Sequence, residues 1–221
     1  MEIFLAGVFT AVISYFLGSI NFAVICSKLF KKDDVRDHGS GNAGMTNVLR
    51  TYGWKLAIPT LLGDFLKGVA AVYVGEWLFE HYGVTVLSGQ FVAGLFVLLG
   101  HVFPLFFKFR GGKGAMTSLG IMVIIDYRAF LVVIAVAAVV IVVSKYISLA
   151  SISGAVVYPI ITGILMAADG NFLIWNEVFA TIFAIIVIAK HYQNIGRLIK
   201  GTESKISVGG KKKKDEKHAE K

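Results

Sequence analysis

The sequence predicts an all-α, polytopic membrane protein with seven transmembrane helices, and three observations carry that reading. Of 221 residues, 56% are apolar and 16% charged, where a soluble domain has about half and about a quarter. Apolar runs recur at membrane-spanning length; Phe130 to Val143 holds no charge in fourteen residues. Twenty of the 22 Lys and Arg residues fall in alternate connections between those runs or from Lys190 onward. Together these exclude a disordered chain, a disulfide scaffold and an ordinary cytosolic enzyme.

A hydrocarbon core of about 30 Å takes about 20 apolar residues per helix. The candidate spans are 3–27, 56–79, 86–107, 113–125, 128–144, 148–168 and 172–190. The first lacks the basic start and small-residue cleavage site of a signal peptide, so it is expected to stay as a helix. Its Cys26 is the single cysteine, which excludes an internal disulfide and reads as a small core residue. The second holds Asp64 and Lys67, three apart on one helix face. Each would cost about 3 kcal/mol facing lipid, so both face the interior, as a structural ion pair or as part of a site. The third ends in Gly100-His101-Val102-Phe103-Pro104, where a lone histidine reads as a satisfied structural residue. The fourth is short, so its start sits below the membrane surface under protein or a watery cavity. The sixth opens with Ser148 and Ser151, placed to cap the helix or to hold a ligand.

Orientation follows from charge. The first connection holds Lys28, Lys31, Lys32, Arg36, Arg50 and Lys55; the third holds Lys108, Arg110 and Lys113; the fifth holds Lys145; ten more lie from Lys190 onward. The opposite side has Arg128 alone. This asymmetry places the odd connections and the C-terminus in the cytoplasm and the N-terminus outside, which requires an odd number of spans. The lysine-rich end reads as a solvated, disordered tail with weak attraction for anionic lipid. The expected division is a membrane unit over 1–205 and a tail over 206–221. No folded basic face accompanies the tail, so no nucleic-acid partner is expected. The outer connections are too short to hold a site, so chemistry belongs to the cytoplasmic side.

Three motifs lie there. In Gly39-Ser40-Gly41-Asn42-Ala43-Gly44-Met45-Thr46-Asn47-Val48-Leu49-Arg50, the glycines let backbone N–H groups turn toward a ligand. Ser40, Asn42, Thr46 and Asn47 add short polar side chains, and Arg50 offers a planar fork for phosphate. The string reads as an anion site in preference to a merely flexible loop. In Phe109-Arg110-Gly111-Gly112-Lys113-Gly114-Ala115-Met116-Thr117, glycines and a lysine open a helix, so free N–H groups, helix dipole and cation converge as in a phosphate cradle. The GxxxxGK[ST] spacing of a Walker loop is missing. Finally His191, Asn194 and Arg197, each three apart, share a face if the last helix continues. They form either a stripe of polar donors or a juxtamembrane anchor with Lys200 and Lys205.

Gly18-Ser19 followed by Gly39 through Arg50, then Gly100 through Gly114, then His191 through Glu203, together resemble the PlsY family of bacterial acyl-phosphate:glycerol-3-phosphate acyltransferases. The resemblance covers the whole chain except the tail. Departures are small: Asn21 and Ala23 replace proline and glycine, Met45 and Met116 stand where alanine is usual, and Tyr192 and Gln193 replace more charged residues. The resemblance implies a seven-helix enzyme of the bacterial inner membrane with its site facing the cytoplasm. Its partners would be acyl-phosphate, sn-glycerol 3-phosphate and membrane lipid, its products lysophosphatidic acid and phosphate, and it would need no metal or cofactor.

On that reading the expected catalytic residues are Ser40, Arg50, Lys113, His191 and Asn194. The expected substrate-binding residues are Gly39, Gly41, Asn42, Gly44, Thr46, Asn47, Gly111, Gly112, Gly114, Ser148, Ser151, Arg197 and Glu203. Gly39 to Asn47 with Gly111 to Gly114 would clamp the donor phosphate and the oxyanion, while Arg50, Lys113, His191 and Asn194 hold the glycerol phosphate. The HxxxxD pattern of soluble acyltransferases is absent, because Gly196 stands five beyond His191 and Ala43 five beyond His38. The donor phosphate is therefore the expected base, with His191 positioning substrate. The competing reading is a membrane transporter for an anionic phosphorylated metabolite.

Overall fold

The computed structural model describes residues 1–206, which form ten α-helices and no strand. They are α1 (Glu2–Ser19), α2 (Phe22–Lys31), α3 (Met45–Tyr52), α4 (Trp54–His81), α5 (Gly89–Val102), α6 (Ala115–Ile125), α7 (Tyr127–Ser144), α8 (Ile147–Ala168), α9 (Ile174–Lys190) and α10 (Tyr192–Ile199). The expected tail, apart from Ile206, lies outside the described residues. The Ile206 backbone N–H donates to the Lys145 carbonyl at 2.8 Å, so the last described segment folds back over the turn between α7 and α8.

Each apolar segment of the sequence coincides with helix. By length and hydropathy, five stretches can cross a bilayer: α1 with α2, α4, α5 with its 3-10 extension, α7 and α8. The pair α9–α10, bent by 58°, makes a sixth if it is one span. Helix α6 has eleven residues and rises only about 16 Å, roughly half a hydrocarbon core.

Two expected boundaries differ for tertiary reasons. The run 3–27 breaks at Ile20–Asn21. There Lys67 Nζ donates to the Gly18 and Ile20 carbonyls at 3.0 and 2.8 Å, and Asn21 caps α2 by accepting the Val24 N–H at 3.0 Å. The first connection is also no plain loop. It ends in α3, which packs Val48 into a small core with Ala23, Val35, Leu56 and Ala57.

Close approach of helix backbones builds the bundle. A Cβ on Gly18 would overlap the Val97 carbonyl and one on Gly100 the Tyr15 carbonyl, so α1 and α5 cross in contact. Gly68 and Gly120 do the same for α4 and α6. Small residues at crossings let dispersion and carbonyl contacts replace the hydrophobic drive that lipid removes. The main core draws on α4 to α9, with Phe183 stacked between Phe91 and Tyr158 at centroid distances of 6.2 and 6.4 Å. At one end Arg128 joins the α6–α7 and α8–α9 turns through Asp126 and Asp169. The three motifs meet at the other end.

Candidate active site

A polar cavity of about 100 Å³ opens where α3, α6, α8 and α10 converge. Gly44 to Asn47 and Gly114 to Met116 line it, so the first turns of α3 and α6 both face the cavity. Neither helix carries a side-chain cap at its N-terminus. Their leading N–H groups and the positive ends of two dipoles are therefore available to one anion. Gly114, at φ +88°, makes the left-handed turn that starts α6.

Three cations border the cavity: Arg50, Lys113 and Arg197. Lys113 Nζ donates to Asn194 Oδ1, tying the glycine-rich loop to α10. Burial, and after it the nearby Arg197 guanidinium, holds the Lys113 pKa down to about 8. Arg197 pairs with Glu203 at 2.6 Å, and Glu203 also accepts from Asn194 at 2.8 Å and Ser148 at 3.0 Å. Burial alone would raise the Glu203 carboxyl, but these hydrogen bonds outweigh it and hold its pKa below the ordinary value. Glu203 thus fixes α10 against α8. Glu203→Gln is expected to lower kcat/KM tenfold to a hundredfold, the loss of roughly 1.5–3 kcal/mol in charged hydrogen bonding; steady-state kinetics on the folded variant checks it.

His191 begins α10 and is buried. Its Nδ1 lies 2.7 Å from the Val187 carbonyl, which can only accept, so Nδ1 carries the proton and Nε2 is left as an acceptor. Asn194 and Arg197 follow on the same face, and all three line the cavity.

The structure therefore gathers Ser40, Asn42, Gly44, Thr46, Asn47, Arg50, Lys113, Gly114, Ser148, Ser151, His191, Asn194, Arg197 and Glu203 around one space. Gly39, Gly41, Gly111 and Gly112 do not line it. Gly39 and Gly41 make positive-φ turns in the first loop. Gly111 and Gly112 pack against the end of α5: a Cβ on Gly111 would overlap the His101 carbonyl, and one on Gly112 the His101 ring. Asn47 reaches the cavity but spends its amide on the loop. It donates to the Val35 and His38 carbonyls at 2.9 and 3.0 Å and accepts from the Ser40 N–H at 2.9 Å. Ser148 and Ser151 do not cap α8; Ser148 holds Glu203, and Ser151 donates to the Ile147 carbonyl at 3.1 Å.

Asp64 and His101 line the cavity as well; Asp64 lies outside the motif blocks, and His101 lies within the Gly100–Gly114 block as the residue read there as structural. The interior charge of the Asp64–Lys67 pair was legible in the sequence, but its place beneath the loop was not. A second cavity, apolar and about 190 Å³, runs between α6, α7, α8 and α9. It shares Ala115, Met116, Ile147 and Ser151 with the polar one, so the two adjoin there.

Fold and site together define an integral membrane protein with a polar cavity, bordered by cations and uncapped helix N-termini, at one end of its helical bundle. The family model described as Glycerol-3-phosphate acyltransferase matches residues 8–201. A Thermoanaerobacter pseudethanolicus glycerol-3-phosphate acyltransferase is 42% identical over 203 residues, covering 90% of this chain and 95% of the relative. A Coxiella burnetii protein of the same name is 43% identical over 204 residues, covering 92% and 100%. The crystal structure of PlsY (YgiH), an integral membrane glycerol 3-phosphate acyltransferase, in its glycerol 3-phosphate form, superposes with a TM-score of 0.79 at 32% identity, covering 91% of this chain and 96% of that one. The chain belongs to the glycerol-3-phosphate acyltransferase family.

Proposed function

We propose that this protein transfers a fatty acyl group from acyl-phosphate to the 1-hydroxyl of sn-glycerol 3-phosphate, giving lysophosphatidic acid and phosphate at the cytoplasmic face of a bacterial inner membrane. The observation that carries this is the adjoining pair of cavities. One is walled by cations and uncapped helix N-termini, the other by hydrocarbon, and they meet at Ala115, Met116, Ile147 and Ser151. Acyl-phosphate has the same two ends. The matched PlsY structures, in glycerol 3-phosphate and lysophosphatidic acid forms, support the acceptor and product. The seven-pass arrangement with the N-terminus outside rests on the charge asymmetry, with α6 as a short span whose glycine-rich start is covered by protein. Residues 1–205 then act as a single catalytic unit.

In this mechanism the glycerol 1-hydroxyl oxygen attacks the acyl carbonyl carbon, and the bond from that carbon to the phosphate oxygen breaks. The N-termini of α3 and α6 stabilise the oxyanion and the leaving phosphate. Arg50 and Lys113 hold the acceptor's phosphate, while His191 Nε2 accepts a hydrogen bond from the glycerol and orients it. The hydroxyl proton passes to the departing phosphate. An imidazolium at His191 would add a positive charge beside Arg50, Lys113 and Arg197, whereas the phosphate gains negative charge as its bond breaks. His191→Ala is expected to lower turnover without removing any imidazole-like limb from the pH profile, as measured by kcat/KM against pH.

The Lys113 ammonium is present below its pKa of about 8 and lost above it. Wild-type kcat/KM is therefore expected to fall as pH rises through about 8, and Lys113→Arg to remove that limb. Turnover of palmitoyl-phosphate with sn-glycerol 3-phosphate, compared with palmitoyl-CoA and palmitoyl-acyl carrier protein, tests the donor. Activity with palmitoyl-phosphate alone is expected. No turnover with any donor, together with sn-glycerol 3-phosphate uptake by proteoliposomes, would replace the enzyme with a carrier.

A further inference from the structure

Beneath the glycine-rich loop, three buried side chains from two helices meet. Lys67 and Asp64 come from α4, and His101 comes from α5. The Lys67 ammonium has three protons, and four acceptors lie within 3.0 Å of it: the Gly18 carbonyl at 3.0 Å, the Ile20 carbonyl at 2.8 Å, Asp64 Oδ1 at 2.8 Å and His101 Nδ1 at 2.9 Å. An ammonium cannot accept, so His101 Nδ1 must. Asp64 supplies the countercharge, with Oδ1 at 2.8 Å from Lys67 Nζ and 3.5 Å from His101 Nδ1, so the ammonium is the nearer partner of that nitrogen. The imidazole is thereby held neutral in one tautomer, with its proton on Nε2.

That Nε2–H lies under Gly112, at a residue only 3% exposed, and His101 lines the polar cavity. It makes no hydrogen bond to the protein among the described residues. The donor is left free beside a cavity whose other walls are helix N-termini and cations.

We propose that His101 is a further substrate contact, its Nε2–H donating to an anionic oxygen held against the glycine-rich loop. Lys67 and Asp64 act through it as positioning residues. His101 serves as a donor and not as a base, because Nε2 already carries the proton and Nδ1 is engaged by a cation. The anionic oxygen belongs to the acceptor's phosphate, the donor's phosphate or the carbonyl oxygen during attack. The proposal rests on the acyl-transfer reading.

The test uses the full chain in detergent, in two arms. Steady-state kinetics compares His101→Leu, which removes the donor, with His101→Gln, whose amide reaches the Nε2 position. His101→Leu should lose tenfold to a hundredfold in kcat/KM, and His101→Gln should recover most of it. A change confined to KM for sn-glycerol 3-phosphate assigns the acceptor, one confined to KM for palmitoyl-phosphate the donor, and one in kcat the oxyanion. In the second arm, 15N-histidine NMR of the wild type, assigned through the His101→Gln spectrum, reads the tautomer. Protonated Nε2 and bare Nδ1 are expected, with the Nε2 resonance moving on addition of sn-glycerol 3-phosphate or palmitoyl-phosphate. A protonated Nδ1, no movement with either substrate, or equal losses in both variants would overturn the proposal. If the wild type shows no turnover, the acyl-transfer reading fails, while the NMR arm still decides whether His101 meets a phosphate.

Discussion

Lys113→Ala lowers kcat/KM about a hundredfold to a thousandfold and leaves the helical content unchanged. The size follows from what is lost: a preorganised cationic donor in a partly desolvated site, where removal of one such group costs about 10² to 10³ in rate. The side chain also donates to Asn194 Oδ1, so its removal frees the amide that links the glycine-rich loop to α10. It lies in the loop before α6 and outside every helix. Lys113→Arg retains the charge and should fall between the two. Steady-state kinetics with palmitoyl-phosphate and sn-glycerol 3-phosphate, beside far-ultraviolet circular dichroism, measures both expectations.

Gly112→Ala is expected to cost about a hundredfold in kcat/KM although it touches no substrate. A Cβ there would overlap His101 Nε2 and sit 2.7 Å from the Ala43 carbonyl. Neither neighbour yields easily. The His101 ring is held by Lys67, and the Ala43 carbonyl accepts from Asn21 Nδ2 at 3.3 Å. The loop itself must shift, and it carries Lys113 as its next residue. Misplacing a positioning group by about 1 Å is enough for a loss of about 10²-fold. Gly196→Ala in α10 is the matching control. Nothing lies within 4 Å of the added methyl, so near wild-type kinetics are expected.

Much of this was legible in the sequence because membrane proteins state their plan in composition. Apolar length marked the helices, and the glycine-rich strings marked the two helix starts that now face one cavity. The three-residue spacing of His191, Asn194 and Arg197 held despite the 58° bend, because the bend falls at His191 and leaves the face of α10 intact. Other features were set by partners distant in sequence. The break at Ile20–Asn21 depends on Lys67, 47 residues away from Ile20. Gly112 and Gly44 look alike in sequence, yet one packs against His101 and the other lines the cavity. Asn47 looked like a ligand contact because its amide is the right chemistry, but the first loop consumes that amide. His101 was read as structural because a lone histidine on an apolar helix has no local sign of what its second nitrogen meets.

The central claim is that these adjoining cavities receive an acyl-phosphate and an sn-glycerol 3-phosphate and couple them. A single 31P NMR time course on the purified protein with both substrates tests it most directly. The account predicts that the acyl-phosphate resonance decays while inorganic phosphate and lysophosphatidic acid grow in equal amounts, with neither product in the absence of enzyme. Decay to inorganic phosphate without lysophosphatidic acid, or no decay while palmitoyl-CoA supports the acylation, would contradict it.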